Sequence, residues 1–447
     1  MNTALTSTVR CRFAPSPTGN VHIGNIRTAI YNWLVARHHG GKFLLRIEDT
    51  DRERSTPEAV QGVLNAMDWL GLTIDEEPVY QSTRREAHLA MAEQLLASGH
   101  AYKEDKGNTG RGEAVIFRMP GEDMGFDDLV KGPLRKAAAD LKDFVIVRSD
   151  GNPVFHLANV ADDIAMNINL VIRGDDHVEN TYRHLALYQA LGAPLPSFAH
   201  LPMIVNHQGK PYSKRDGDAY VGDFQAKGYL PEALFNFLVL LGWSPGDDRE
   251  FLSREELVAL FDLDRVGSNP AQFDLVKFEN LNGQYMRALP DSDYKTQFTA
   301  CLAEAGLIPD DDAYLDRVIP LLKERIKKWP DTAEQAHYFF SDHFSFDEKA
   351  VRKRLQREGA LANLLALQEA FAALPDFTAT ALDEALRNLA EQQGAKPADF
   401  IHPVRVAVTG QAGGPSLFEL LEVLGRDRVL DRMAKAKETV ASLNQSE

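Results

Sequence analysis

The stretch "FAPSPTGNVHIGN", residues 13–25, decides the fold. It follows a short strand-like run, "VRCRFA" (9–14), and leads into a helix-period pattern. A plain strand-to-helix connection needs far less than two prolines, two glycines and a histidine. Pro15 and Pro17 fix the backbone and remove two amide donors, so the loop is stiff. Gly19 lets the chain turn, and Asn20 can cap the helix that follows. His22 and Asn25 are three residues apart and fall on one face of the first turn. A helix N-terminus offers free N–H groups and a positive dipole end, which suits phosphate. Gly24, with no side chain, lets a planar base approach the backbone. In open parallel sheets ligands bind beyond the carboxyl ends of the strands, where this loop lies. The loop predicts a nucleotide over the first helical turn, with His22 and Asn25 donating to phosphate oxygens.

Working outward, "NIRTAIYNWLVARHHGG" (25–41) puts Ile26, Ile30, Trp33 and Leu34 on one helical face and stops at Gly40–Gly41. "KFLLRIED" (42–49) reads as a second strand. A second helix starts at a Ser55 or Thr56 cap with Pro57 in its first turn. It carries Val60, Val63, Leu64 and Met67 as a stripe and ends at Gly71. This βαβα order predicts a Rossmann-type parallel α/β sheet. The alternation breaks between 101 and 148, a Gly-, Asp- and Lys-rich segment with strand candidates at "AVIFRM" and "DFVIVRS", read as a small α+β insertion. It resumes with "PVFHLANVADDIAMNINLVIRGDDH" and the helix "ENTYRHLALYQALG". A mixed region follows residue 205, and the helix period dominates after 290. The expected divisions are 1–100 and 149–205 for the two halves of the sheet domain, 101–148 for the insertion, 206–290, and 291–447.

The chain has 447 residues, too many for one core. No run of about 18 apolar residues exists, so no transmembrane helix is expected, and the N-terminus does not read as a signal peptide. Cys11 and Cys301 lie far apart, which points to a reducing, cytoplasmic compartment, and two cysteines exclude a cysteine-built zinc site. The net charge of −16 argues against indiscriminate nucleic-acid binding but leaves room for local basic faces.

"GKPYSKRDGD" (209–218) is a basic loop in which Ser213, Lys214 and Arg215 can offer a hydroxyl and two cations to a triphosphate. Arg12 and Arg173 stand at strand ends, and arginine's planar fork suits carboxylates. Glu48 ends the second strand and can hold an ammonium. Taken singly, each arginine reads as a salt bridge to a neighbouring acid such as Asp175 or Asp176.

The segment "RFAPSPTGNVHIGNIRTAIYNWLVARHHGGKFLLRIEDTDRERS" closely resembles the N-terminus of bacterial glutamyl-tRNA synthetases, which are class I aminoacyl-tRNA synthetases. "VHIGN" stands where that class carries HIGH, with Asn25 at the final histidine. The resemblance continues in order through "VIRGDDHVENTYRHLALYQALG", "YSKRDGD", "GYLPEALFNFLVLLGWSPGD" and "HPVRVAVTG". It implies ATP-dependent activation of glutamate to glutamyl-adenylate and transfer to the terminal adenosine of tRNA(Glu). It implies ATP with Mg²⁺, no membrane partner and a monomer. Catalytic roles would fall to His22, Asn25 and Lys214, and ATP contacts to these with Pro15, Thr18, Gly19, Gly24, Ser213 and Arg215. Arg12 and Asn159 would face the glutamate side-chain carboxylate, Arg173 the α-carboxylate, and Ser16 with Glu48 the amino group. Phe155 stands where the family usually has a tyrosine, which removes one hydrogen bond. Pro211 stands at the first lysine of the KMSKS element, with Lys210 one residue earlier. Some relatives hold zinc in the insertion; "AYKEDKGNTGRGEAVIFRMP" has none of those cysteines, so no zinc is expected.

By the same resemblance, the insertion holds the acceptor end, 206–290 contacts the stem, and the helical part binds the anticodon. Cationic clusters at 321–330, 348–358 and 426–438 fit phosphate tracking, and Trp329 could stack a base. A tRNA-modifying glutamyl-transferring paralogue is the near alternative, disfavoured by the residues after 290. A small-molecule nucleotidyltransferase or a catalytically impaired RNA-binding homologue is the remoter one.

Overall fold

Short apolar runs bounded by turn residues form the parallel strands of the first unit. In the computed structural model, residues 8–51, 54–105, 112–309 and 311–444 are described. The chain divides into two compact units, Met1–Leu281 and Asn282–Glu447.

In the first unit, β1 (Arg10–Phe13) leads through the Pro-rich loop into α1 (Ile23–His38), then β2 (Lys42–Ile47), α2 (Pro57–Trp69), β3 (Val79–Tyr80) and α3 (Arg85–Ala97). β1 pairs in parallel with β2, Arg12 opposite Leu44, and β2 with β3. Thr56 caps α2 by accepting from the N–H of Ala59. α1 buries the expected Ile26, Ile30, Trp33 and Leu34, but also Arg27, Tyr31 and Asn32. It lies against both the sheet and later helices, so a one-sided stripe understates its burial.

Residues 101–148 contain β4 (Ala101–Glu104), β5 (Ala114–Phe117), β6 (Met124–Asp128), β7 (Gly132–Lys136) and β8 (Phe144–Val147). Strands β4, β5 and β8 make an antiparallel sheet of their own. β6 and β7 form a hairpin that continues the main sheet, β6 lying parallel to a later strand. One hydrophobic core runs through both, joining Phe117 and Ile146 to Leu44, Leu157, Val171 and Phe198.

The α/β pattern then resumes with α4 (Phe155–Ala165), β9 (Leu170–Gly174), α5 (Val178–Ala190) and β10 (Ser197–Leu201). β9 pairs in parallel with β10, Arg173 opposite His200, and β10 with β6 at Phe198 and Asp128. β9 runs beside β1: the N–H of Asn169 donates to the Arg10 carbonyl at 3.1 Å, and its Oδ1 accepts from the Arg10 N–H at 2.8 Å. From the β1–β9 line chain order runs outward through β2 and β3 on one side and to β10 on the other, with the earlier β6 and β7 beyond β10; that line is the switch point at which such sheets bind ligands. Beyond it lie β11 (Ile204–Val205), α6 (Val221–Ala226), α7 (Pro231–Leu240), α8 (Arg254–Leu260) and β12 (Ala271–Gln272). α9 (Leu275–Ala288) crosses the division between the units.

The second unit is helical throughout its described residues: α10 (Asp291–Glu304), α11 (Asp312–Leu322), α12 (Asp331–Phe340), α13 (Glu348–Arg354), α14 (Ala360–Ala372), α15 (Ala379–Gln392), α16 (Ala398–Thr409), α17 (Leu417–Leu424) and α18 (Arg426–Asn444). Asp347 caps α13 and Thr378 caps α15. α16 ends at Gly410 with φ 75°, where a Cβ would lie 2.3 Å from the Ser345 carbonyl oxygen. Leu364, Leu367, Phe371, Leu386, Val404, Leu420 and Val429 form the core.

Trp329 and, in the 426–438 cluster, Arg426 and Arg432 are engaged inside the unit, while Lys435 of that cluster stays exposed beside Asp431. Trp329 is buried, its ring 5.3 Å from that of Tyr294, so it has no face to offer a base. In the 426–438 cluster, Arg432 is buried and donates to the carbonyls of Val408, Tyr338 and Ser341, while Arg426 donates to those of Ala372 and Pro375. Those arginines close helix ends. Lys349, Arg352 and Lys353 on α13 remain exposed.

Among the described residues, no helix is long and apolar enough to cross a membrane, no group of three or more His, Cys, Asp or Glu side chains could hold a metal, and both cysteines are free.

Candidate active site

The carboxyl ends of β1, β2 and β9 open onto one cleft of about 640 Å³. Arg12, Pro15, Ser16, Thr18, His22, Gly24, Asn25, Glu48, Phe155, Asn159 and Arg173 line it together. Gly19 lies in an adjoining recess of about 230 Å³, with Thr18, Asn25 and Tyr220. Of the basic loop, Pro211 and Tyr212 reach the cleft wall; Ser213, Lys214 and Arg215 are not among the residues that line it.

His22, not Asn20, is the N-cap of α1. Its Nδ1 accepts the N–H of Gly24 at 3.0 Å, which puts the ring proton on Nε2. That Nε2–H donates to the Tyr212 carbonyl at 3.0 Å. Both ring nitrogens are thus occupied, and the expected phosphate donor instead tethers the basic loop. Burial lowers the pKa of His22 against the pull of the Tyr212 carbonyl, which favours the neutral ring at neutral pH. A Cβ on Gly24 would lie 3.3 Å from Nδ1 and crowd this cap. The tether is reinforced by Ile23 N–H to Ala219 O at 2.9 Å and Val221 N–H to Val21 O at 3.0 Å.

The basic loop folds on itself. Asp216 accepts from Asn206 (2.7 Å) and from the N–H and hydroxyl of Ser213 (3.0 and 2.9 Å). Ser213 is therefore spoken for, while the Lys214 ammonium rests 5.8 Å from the Tyr220 ring centroid.

The two arginines behave differently. Arg12 donates from Nε and Nη2 to the two oxygens of Asp163 at 2.9 and 3.1 Å, both side chains being buried. Arg46 also pairs with Asp163 and donates to Oε1 of Glu48 at 3.1 Å. That oxygen also accepts from Nδ2 of Asn159 at 2.9 Å. Burial alone would raise the Asp163 pKa; Arg12 and Arg46 outweigh burial and hold it below the usual carboxylate range. Oδ1 of Asn159 is buried with no hydrogen-bond partner among the described residues.

Arg173, 7% exposed, makes no ion pair among the described residues. It donates only to neutral acceptors: Nε2 of His200 (3.2 Å), Nδ1 of His184 (3.3 Å), the Thr181 hydroxyl (2.7 Å) and the His177 carbonyl (3.4 Å). The expected alternatives fall away. Asp175 is paired with Lys131 at 2.7 Å, and Asp176 lies 3.7 Å from His177. Burial, then the charge of Arg12, lowers the Arg173 pKa to about 9. A buried cation without a counter-charge costs several kcal/mol, roughly, unless an anion joins it.

Phe155 starts α4, its ring 6.0 Å from His177 and 5.8 Å from His184. Reading the sequence missed Asp163, Arg46, Thr181, His184 and His200. An acidic pair inside the apolar helix "FHLANVADDIA" was the available signal for Asp163.

Two family models account for most of the chain. "tRNA synthetases class I (E and Q), catalytic domain" matches residues 8–109 and 104–280, and "Anticodon binding domain" matches 295–437. Glutamate–tRNA ligase 1 of Gluconacetobacter diazotrophicus is 44% identical, with 95% of this chain and 99% of that protein covered. The chain belongs to the glutamate–tRNA ligase family. Another relative in that family, glutamate–tRNA ligase of Methylacidiphilum infernorum, is 41% identical over 95% of this chain and 97% of its own length. A crystal structure of a glutamate tRNA ligase from Elizabethkingia meningosepticum, in complex with its amino acid, superposes with a TM-score of 0.84. It is 32% identical, and the match covers 97% of this chain and all of that one. This member of the glutamate–tRNA ligase family thus carries the class I catalytic domain on the Rossmann-type sheet and an anticodon-binding domain in the helical unit.

Proposed function

We propose that the chain joins glutamate to tRNA(Glu) in the cleft between β1, β2 and β9, using ATP with Mg²⁺. The observation that carries this reading is Arg173, a buried cation that makes no ion pair among the described residues and lines the same cleft as Glu48. Such a site calls for a ligand bearing carboxylate and ammonium together. Arg173 takes the α-carboxylate. Glu48 and Ser16 take the ammonium; Asn159, expected at the side-chain carboxylate, gives its Nδ2–H to Glu48 and has only the acceptor Oδ1 left, so it is reassigned to the ammonium. Arg12, oriented by Asp163, keeps its Nη1 for the side-chain carboxylate. Phe155 supplies a ring without a hydroxyl there.

The α-carboxylate attacks the α-phosphate of ATP in line, and pyrophosphate leaves. Positioning and charge do most of the work, so no covalent nucleophile is needed. Pro15, Thr18, Gly19 and Gly24 shape the nucleotide's bed over α1. His22 releases the Tyr212 carbonyl and turns its Nε2–H to a phosphate oxygen, beside Asn25. The freed loop carries Ser213, Lys214 and Arg215 inward, where Lys214 stabilises charge developing on the phosphates. The 2′-hydroxyl of the tRNA's terminal adenosine then attacks the carbonyl of the glutamyl-adenylate, the ester forms as the acyl–phosphate bond breaks, and AMP leaves with the hydroxyl proton passing to solvent. Residues 101–148 hold that end, 206–290 contact the stem, and the α13 cations track phosphates.

Aminoacylation measured with each of the 20 amino acids, and with purified tRNA(Glu) and tRNA(Gln), tests the reading. Charging of tRNA(Glu) by glutamate alone is the expected result. Charging by another amino acid, or no charging at all, would overturn it. ATP–pyrophosphate exchange run with and without RNA locates the first step.

A further inference from the structure

Arg173 is gripped from behind. Its Nε–H donates to Nε2 of His200 at 3.2 Å, so the ring proton of His200 sits on Nδ1. That Nδ1–H donates to Oδ2 of Asp128, with 2.6 Å between Nδ1 and Oδ2. The other oxygen, Oδ1, accepts three backbone N–H groups, from Val130 (3.0 Å), Lys131 (2.8 Å) and His200 (3.2 Å). Asp128 and His200 are both buried, at 4% and 0% exposure. Asp128 ends β6, the strand by which residues 101–148 join the main sheet. Lys131, in the same hairpin turn, donates to Asp175, just past the end of β9. The turn of this hairpin therefore holds the end of β9 at two points.

We propose that Asp128 and His200 are positioning residues for the Arg173 clamp. The Asp128 carboxylate selects the His200 tautomer, and the lone pair this leaves on Nε2 sets the plane of the guanidinium toward the cleft. A planar fork recognises a carboxylate only when its plane is held. In the opposite tautomer the Nε2–H would donate to the Thr181 hydroxyl, 3.0 Å away, leaving the Nε–H of Arg173 without its acceptor, and the fork would turn away. A partner behind a ligand-binding group commonly governs its orientation in this way. The inference rests on the reading of Arg173 as the α-carboxylate cation.

Steady-state aminoacylation with glutamate and ATP varied separately tests it. Asp128→Asn keeps the shape and the acceptor Oδ1 but presents an NH₂ to Nδ1, which drives the ring to the wrong tautomer. The expected result is a glutamate KM raised about tenfold or more, with the ATP KM unchanged. His200→Gln has no tautomer and can place Oε1 where Nε2 stands. It is expected to keep the glutamate KM near the starting value, and adding Asp128→Asn to it is expected to change little. This non-additivity is what a merely structural role would not produce. Equal effects of Asp128→Asn in both backgrounds, or a lowered Tm with an unmoved glutamate KM, would overturn the proposal. Should Asp128→Asn not fold, His200→Leu against His200→Gln decides: a KM rise only for Leu supports it, and equal values refute it. Arg173→Ala separates the two readings. An unchanged glutamate KM there removes the clamp itself. A raised KM there with no effect of the Asp128 and His200 changes removes only the positioning chain.

Discussion

At the scale of single residues, the cleft sorts its charges into paired and unpaired. Asp163 is fully buried between Arg12 and Arg46 and keeps both guanidiniums in place. Asp163→Asn leaves Arg12 without its counter-charge and Arg46 with Glu48 alone, and should cost about 3–5 kcal/mol at pH 7, read from urea unfolding. The sign of its pH dependence follows from the depressed pKa. The stabilisation is present above the unfolded carboxylate value of about 4 and is lost as pH falls through the folded one. The stability gap between the two proteins should therefore narrow on acidification. A gap that stays constant down to the acid transition would assign the loss to packing. Sequence reading reached Arg12, Glu48 and Arg173 because strand ends are predictable. It could not tell which arginine was already neutralised, since Asp163 lies 151 positions from Arg12 along the chain.

At the scale of elements, the His22 imidazole is the side-chain link between α1 and the basic loop, beside two backbone hydrogen bonds just past it. His22→Ala removes the cap and the tether together, and a lost cap costs about 1 kcal/mol. His22→Asn restores a good cap but does not reach Tyr212. Thermal melts should show Asn recovering the stability lost in Ala, while adenylate formation stays low in both. Full activity in the Asn variant would mean the ring does nothing beyond capping. Lys214 is exposed and makes no ion pair among the described residues. Lys214→Ala should leave the Tm unmoved and cut aminoacylation by several orders of magnitude, and unchanged turnover would remove it from the mechanism. The elements α1, β2 and α2 were legible because apolar spacing and bounding turn residues agree there, with the Thr56 cap and Pro57 at α2, although the cap of α1 is His22 and not Asn20. β6, "MGFDD", was not: its glycine and acids carry little strand propensity, and only pairing with β7 and β10 makes it a strand.

At the scale of the whole molecule, two units with separate cores should melt separately. Calorimetry with saturating glutamate and ATP should raise the transition of the first unit and leave the second where it was. Leu386→Ala, in the helical core, should lower only the second, by about 2–5 kcal/mol in stability. A single cooperative transition moved by both would contradict the division. The other large-scale feature is β6, because hydrogen bonding between strands runs from the catalytic sheet straight into residues 101–148. A segment woven into its host in this way cannot be lifted out and traded between relatives like a cassette. A graft that keeps the flanking ends but alters the fifth residue of that strand would change how amino acid is gripped some distance away.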